Sequence, residues 1–160
     1  MHAKAIGTIL ILSSALSAVY HYHRQCRVHQ EYIEQLIWSL EHMAAEIRWR
    51  HRTLPDIFED LSSRPCCGEM FGAIADNVKS DIPLQTAWQS AFCKSDGELA
   101  AILSHMDLTG DEKHLTEGLA YAAEELKSVL HTEKKQQKEQ GKLVMALTGG
   151  GAGLLIILLM

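Results

Sequence analysis

From Val28 to Ile47 the apolar residues Ile33, Leu36, Ile37, Leu40, Met43, Ala44 and Ile47 return every three or four positions, with Glu31, Glu34, Gln35, Glu41 and Glu46 filling much of the space between them. This spacing predicts a helix that rests one stripe on a core, and a start near Arg24 lets it continue from the preceding apolar stretch without a break. Leu54-Pro55-Asp56 marks a second start, because proline suits the first turn of a helix and an acid complements the dipole there; a short helix to about Leu61 follows. Pro65-Cys66-Cys67-Gly68 reads as a turn, and Met70, Phe71, Ile74, Ala75 and Val78 give a third stripe that stops at Ser80-Asp81-Ile82-Pro83. Leu84, Ala87, Trp88, Ala91 and Phe92 form a fourth stripe, and Leu99, Ile102, Leu103 and Met106 a fifth after a break at Ser95-Asp96-Gly97. Thr109-Gly110-Asp111 closes that helix. Leu115, Leu119, Ala122, Ala123, Leu126, Val129 and Leu130 then describe a long last one, whose polar tail HTEKKQQKEQGK continues as a solvated helix. No stretch alternates with period two, so the class is all-α, and about six helices joined by short turns predict an antiparallel bundle.

Two uncharged stretches flank this bundle. Ala5 to Val19 reads AIGTILILSSALSAV, and Tyr20 and Tyr22 extend it as interfacial aromatics before Arg24 and Arg27. Crossing a bilayer takes on the order of 20 helical residues, a length reached when the aromatic flank is counted. Lys4 together with Ala15-Leu16-Ser17 also fits a cleaved secretory signal. Leu143 to Met160 is the stronger span: it carries no charge, and Lys134, Lys135, Lys138 and Lys142 all precede it. By the positive-inside rule those lysines place the middle of the chain in the cytoplasm, which a secreted, signal-cleaved form would contradict. The sequence therefore predicts an N-terminal transmembrane helix over 1–22, a cytoplasmic helical bundle over 23–141 and a C-terminal transmembrane helix over 142–160. In the second span Gly149 and Gly153 make a small-xxx-small pair, against which the first span or another copy of the chain can pack closely; glycine can equally serve only to bend the helix.

A length of 160 residues allows one compact core between those ends. Apart from Lys4 every charged residue lies between the two apolar stretches, giving that part a net charge of −6. An acidic excess with no clustered basic face excludes nucleic acid as the partner. Cys26, Cys66, Cys67 and Cys93 fall at no zinc-site spacing and read as reduced thiols, with Cys66 and Cys67 together in a turn as the one redox candidate. The histidines are scattered over polar faces without a His-Glu-x-x-His pattern, so neither a metal nor a cofactor is expected. Glu59-Asp60, Asp111-Glu112 and Glu124-Glu125 sit among polar neighbours and read as solvated charge rather than as a catalytic pair. No nucleophile and base come together, and the chain reads as a binding protein, not an enzyme.

This arrangement resembles the stage III sporulation protein AB family of endospore-forming bacteria, whose members are two-span proteins of this length. The resemblance covers nearly the whole chain; its local signs are the ending Gly153 to Met160, Ala45-Glu46-Ile47 followed by Trp49, and the Ala87-Trp88 pair. The family's cytoplasmic domain is similar to the helical F-domain of type II secretion and type IV pilus platform proteins. The resemblance implies a non-enzymatic platform in the channel joining mother cell and forespore, set in the outer forespore membrane with its bundle on the mother-cell side. It also implies docking to a cytoplasmic secretion-type ATPase and to other channel subunits. Glu46, Arg48, Trp49 and Asp111 are the candidate partner contacts on that reading. The chain departs from its relatives at Arg50, where they usually carry glycine, at Thr53, where they carry proline, and at Thr109 to Lys113, where they show an Asp-Arg pair. The alternative is a general membrane-anchored helical adaptor or sensor with no secretion partner.

Overall fold

The computed structural model describes residues 2–93 and 97–159, with side chains described chiefly over 19–93 and 97–141. Six helices follow one another among them: α1 (His2–Arg50), α2 (Leu54–Ser62), α3 (Gly68–Lys79), α4 (Leu84–Phe92), α5 (Gly97–Ser104) and α6 (Glu112–Leu159). No strand occurs among the described residues. The chain divides into a central unit, Glu31–Leu130, and a terminal unit made of Met1–Gln30 with His131–Met160. The latter takes in residues 23–30 and 131–141, which the sequence pattern had grouped with the bundle.

In the central unit the periodic stripes become one core. Ile33, Leu36, Leu40 and Met43 of α1 are buried with Ile57, Phe58 and Leu61 of α2, Phe71 and Ile74 of α3, Trp88 and Phe92 of α4, Leu103 of α5 and Leu119 and Leu126 of α6. Trp88 is the hub, with ring centroids 6.0 Å from Phe58 and 4.6 Å from Phe92. Its indole N–H donates to the Leu103 carbonyl at 2.7 Å, which removes the cost of burying an unpaired donor. α4 also fixes the connector to α6. The Gln85 amide donates to the Met106 carbonyl and accepts from the Leu108 N–H, both at 2.9 Å. Met106 and Leu108 are therefore buried although α5 ends at Ser104, two residues before the stripe that predicted it.

One tight turn sets the packing of α3. Cys66 adopts a left-handed backbone, φ 69°, and Gly68 starts the helix against the end of α2. A Cβ on Gly68 would lie 2.4 Å from the Ser62 carbonyl oxygen, so only glycine permits this approach. Cys67 is then carried into the core, its Sγ 3.8 Å from the Tyr32 carbonyl of α1.

The terminal unit is held differently. Its two segments run antiparallel, joined by Tyr22 Oη donating to Gln140 Oε1 at 3.1 Å, Gln30 Nε2 donating to Gln137 Oε1 at 2.7 Å, and His29 Nε2 at 3.4 Å from Glu133. None of residues 19–30 and 131–141 is fully buried, so polar pairs and not a core connect the helices here. The two spans expected over 1–22 and 142–160 fall for the most part outside the described side chains, and no helix among the described residues is long and apolar enough to cross a membrane. Gly149 and Gly153 belong to α6 in backbone, while the surroundings that would show a packed pair lie outside the described residues.

Candidate docking site

Arg48 and Trp49 lie on the last turns of α1, and Asp111 immediately precedes α6. The fold brings them together at one end of the central unit. Arg48, Asp111, Glu112, Lys113, Thr116 and Glu117 line an open depression of 510 Å³. A second, of 280 Å³, shares Arg48, Thr116 and Glu117 and adds Ala44, Ala45, Trp49 and Ala120. Small side chains and charges line the second together, with Trp49 standing 76 % exposed among them. The Arg48 guanidinium lies 5.6 Å from the Trp49 ring centroid, a cation–π contact on the surface.

Local structure explains how these residues are held. Asp111 caps α6, its carboxylate accepting the His114 N–H at 3.0 Å. Glu112 in the first turn of α6 pairs with His51 Nδ1 at 3.0 Å, tying the end of α1 to the start of α6. Gly110, at φ 129°, makes the turn before the cap. Earlier in the connector, hydrogen bonds from the Thr109 hydroxyl and N–H hold the Asp107 carboxyl below its ordinary value. Further along the same pair of helices Lys127 bridges Glu124 and Glu41, both at 2.8 Å, and these bonds raise its pKa.

Glu46 does not join this surface. Its side chain is only 8 % exposed and its carboxylate receives Arg50 at 3.1 Å and Arg52 at 3.4 Å, with Arg52 also bound to Asp60. Arg50 thus neutralises an acid of its own helix. Thr53 donates from its hydroxyl to Asp56 at 2.6 Å at the start of α2.

Thr116, Glu117, Ala44, Ala45 and Ala120 complete the site, and sequence reasoning did not single them out as such. The signal was present in α6: the buried stripe Leu119, Ala122, Ala123 and Leu126 fixes the inward face and so leaves 116, 117 and 120 beside it. The one hydroxyl lining the site, Thr116, donates to the Lys113 carbonyl of its own helix at 3.0 Å. No group of three or more His, Cys, Asp or Glu side chains converges as a metal site among the described residues.

The charge of the chain is unevenly divided. The central unit has eighteen acidic and eight basic residues, whereas the terminal unit has two acidic and seven basic ones. The candidate surface therefore belongs to a unit of net charge −10, attached through both ends to one of net charge +5. No curated protein and no solved structure matches this chain. The family comparison is positive: the model of stage III sporulation protein AB matches residues 4–160, and the chain belongs to that family.

Proposed function

We propose that this sporulation protein is a non-enzymatic, membrane-anchored platform of a secretion-like channel between mother cell and forespore. Both apolar ends enter the outer forespore membrane, and the central unit faces the mother-cell cytoplasm and docks a secretion-type ATPase at the Arg48, Trp49 and Asp111 end. The observation that carries the reading is the exposed Trp49 in an open depression lined also by alanines, Arg48 and Glu117. Tryptophan and arginine are enriched among the residues that dominate interface energies. The uncharged runs at 5–19 and 143–160, each bordered by basic residues toward the middle, support the membrane part.

The test is co-purification of the tagged full chain with candidate secretion-type ATPases, comparing wild type with a Trp49→Ala/Glu117→Lys variant. Retention by wild type and loss in the variant, at unchanged thermal stability, is the expected result. A wild-type chain that retains none of the candidate ATPases contradicts the platform reading and leaves the adaptor.

A further inference from the structure

The arginines of this chain fall into two groups. Arg50 and Arg52 are ion-paired, and Arg48 and Arg64 lie over the indoles of Trp49 and Trp38. Arg24 and Arg27 have no ion pair, hydrogen bond or ring contact among the described residues, and the segment they belong to, 1–30, contains no acidic residue at all. Together with Tyr20 and His23 they line an open depression of 230 Å³. The four positions are spaced i, i+3, i+4 and i+7 along α1, one face of the helix over about 10 Å of its length. His23 lies toward the facing segment, its ring carbon 3.9 Å from where a Cβ on Gly141 would stand.

The chemistry of the four side chains is one-sided. Two guanidinium forks, an imidazole N–H and a phenol O–H all donate hydrogen bonds, and the guanidinium geometry matches the oxygens of a phosphate. No carboxylate lines the depression to receive an amine, so a zwitterionic headgroup would bring its cation against two arginines. Immediately before Tyr20 the sequence is uncharged back to Ala5, so on the reading of that stretch as membrane-embedded an anion seated in the notch stands at the border of the hydrocarbon. An occupant with a phosphate head and a hydrocarbon tail satisfies both sides, and a free phosphate satisfies only one.

We propose that Tyr20, His23, Arg24 and Arg27 form a headgroup site for an anionic glycerophospholipid, which binds through its phosphate and lays its acyl chains along the uncharged stretch. The site rests on the reading of the apolar ends as membrane-embedded and adds to it a lipid class and a specific set of donors.

The experiment reconstitutes the full chain in phosphatidylcholine bilayers containing a trace of spin-labelled phosphatidylglycerol or spin-labelled phosphatidylcholine, and measures the motionally restricted fraction of each. Wild type is expected to hold phosphatidylglycerol in preference by a factor on the order of five or more, the attraction of one or two interfacial arginines. The Arg24→Gln/Arg27→Gln variant is expected to bring the ratio close to one, and Lys79→Gln in the central unit to leave it unchanged. Equal restriction of both lipids by wild type, or a preference that survives the double substitution, overturns the site while leaving membrane insertion intact. Displacement of the labelled lipid by millimolar inorganic phosphate reassigns the notch to a free anion and also overturns it. A chain that enters neither bilayer removes the membrane reading itself.

Discussion

The central and terminal units of this protein are both helical, but they are held together by different physics. The central unit buries a continuous apolar core around Trp88, Phe58, Phe71 and Phe92, and wears a surplus of acid outside. Between 19 and 30 and between 131 and 141 the terminal unit buries nothing fully, joins its helices through glutamine, tyrosine and histidine pairs, and carries a surplus of base. Burial of apolar area is the dominant favourable term in folding, whereas an exposed polar pair contributes little net. The contrast teaches that the central unit can hold its shape by packing, while the terminal unit depends on what surrounds its apolar ends.

The largest break in this contrast is Trp88→Ala. Removing a fully buried indole, with its hydrogen bond to Leu103, should cost the central unit roughly 3–5 kcal/mol, read from urea unfolding of the full chain followed by circular dichroism. A loss below about 1 kcal/mol would mean that the core does not govern stability. Next is Gly68→Ala, which forces a Cβ toward the Ser62 carbonyl; a loss of about 1–3 kcal/mol is expected in the same assay, since backbone must shift to admit it. Smaller still is Gln137→Ala in the terminal unit. It deletes the bond to Gln30, and a change of about 1 kcal/mol or less separates a polar ladder from a core.

A pH series sharpens the same point through one thiol. Burial, with a smaller contribution from Cys66, pushes Cys67 up from 9.0 to about 12. A thiol raised in the folded state stabilises below the unfolded value and loses that contribution as pH rises through the folded one. The wild type should therefore lose more stability than Cys67→Ala between pH 9 and 12, with the two parallel below pH 8. Parallel curves throughout would place Cys67 in contact with solvent.

Much of this was legible in the sequence, for identifiable reasons. Pro55, Pro83 and the apolar stripes set α2, α3 and α4 because local chemistry and burial agree there. Two of the three tryptophans sort themselves by spacing, Trp88 in the core and Trp49 off it, while Trp38 is half-buried under Arg64 and beside His42. What stayed hidden depends on long-range side-chain bonds. Met106 and Leu108 are buried outside any helix because Gln85 reaches the connector, and Glu46 is withdrawn from the surface by Arg50 and Arg52. The candidate site was legible in Arg48, Trp49 and Asp111 but not in its alanine lining, since small residues carry no signal until the neighbouring helix is in place.

The proposed function requires lipid to hold both ends of the chain, with the acidic unit on the mother-cell side. Cys66 and Cys93 are exposed in the central unit and Cys67 is not, so the native thiols report its location directly. With a membrane-impermeant maleimide applied to sporulating cells whose mother-cell envelope has been opened while the forespores stay sealed, the membrane-bound chain should gain label at Cys66 and Cys93. Thiols that stay unlabelled until the forespore membranes are opened as well, or a chain recovered wholly outside the membrane fraction, would contradict it.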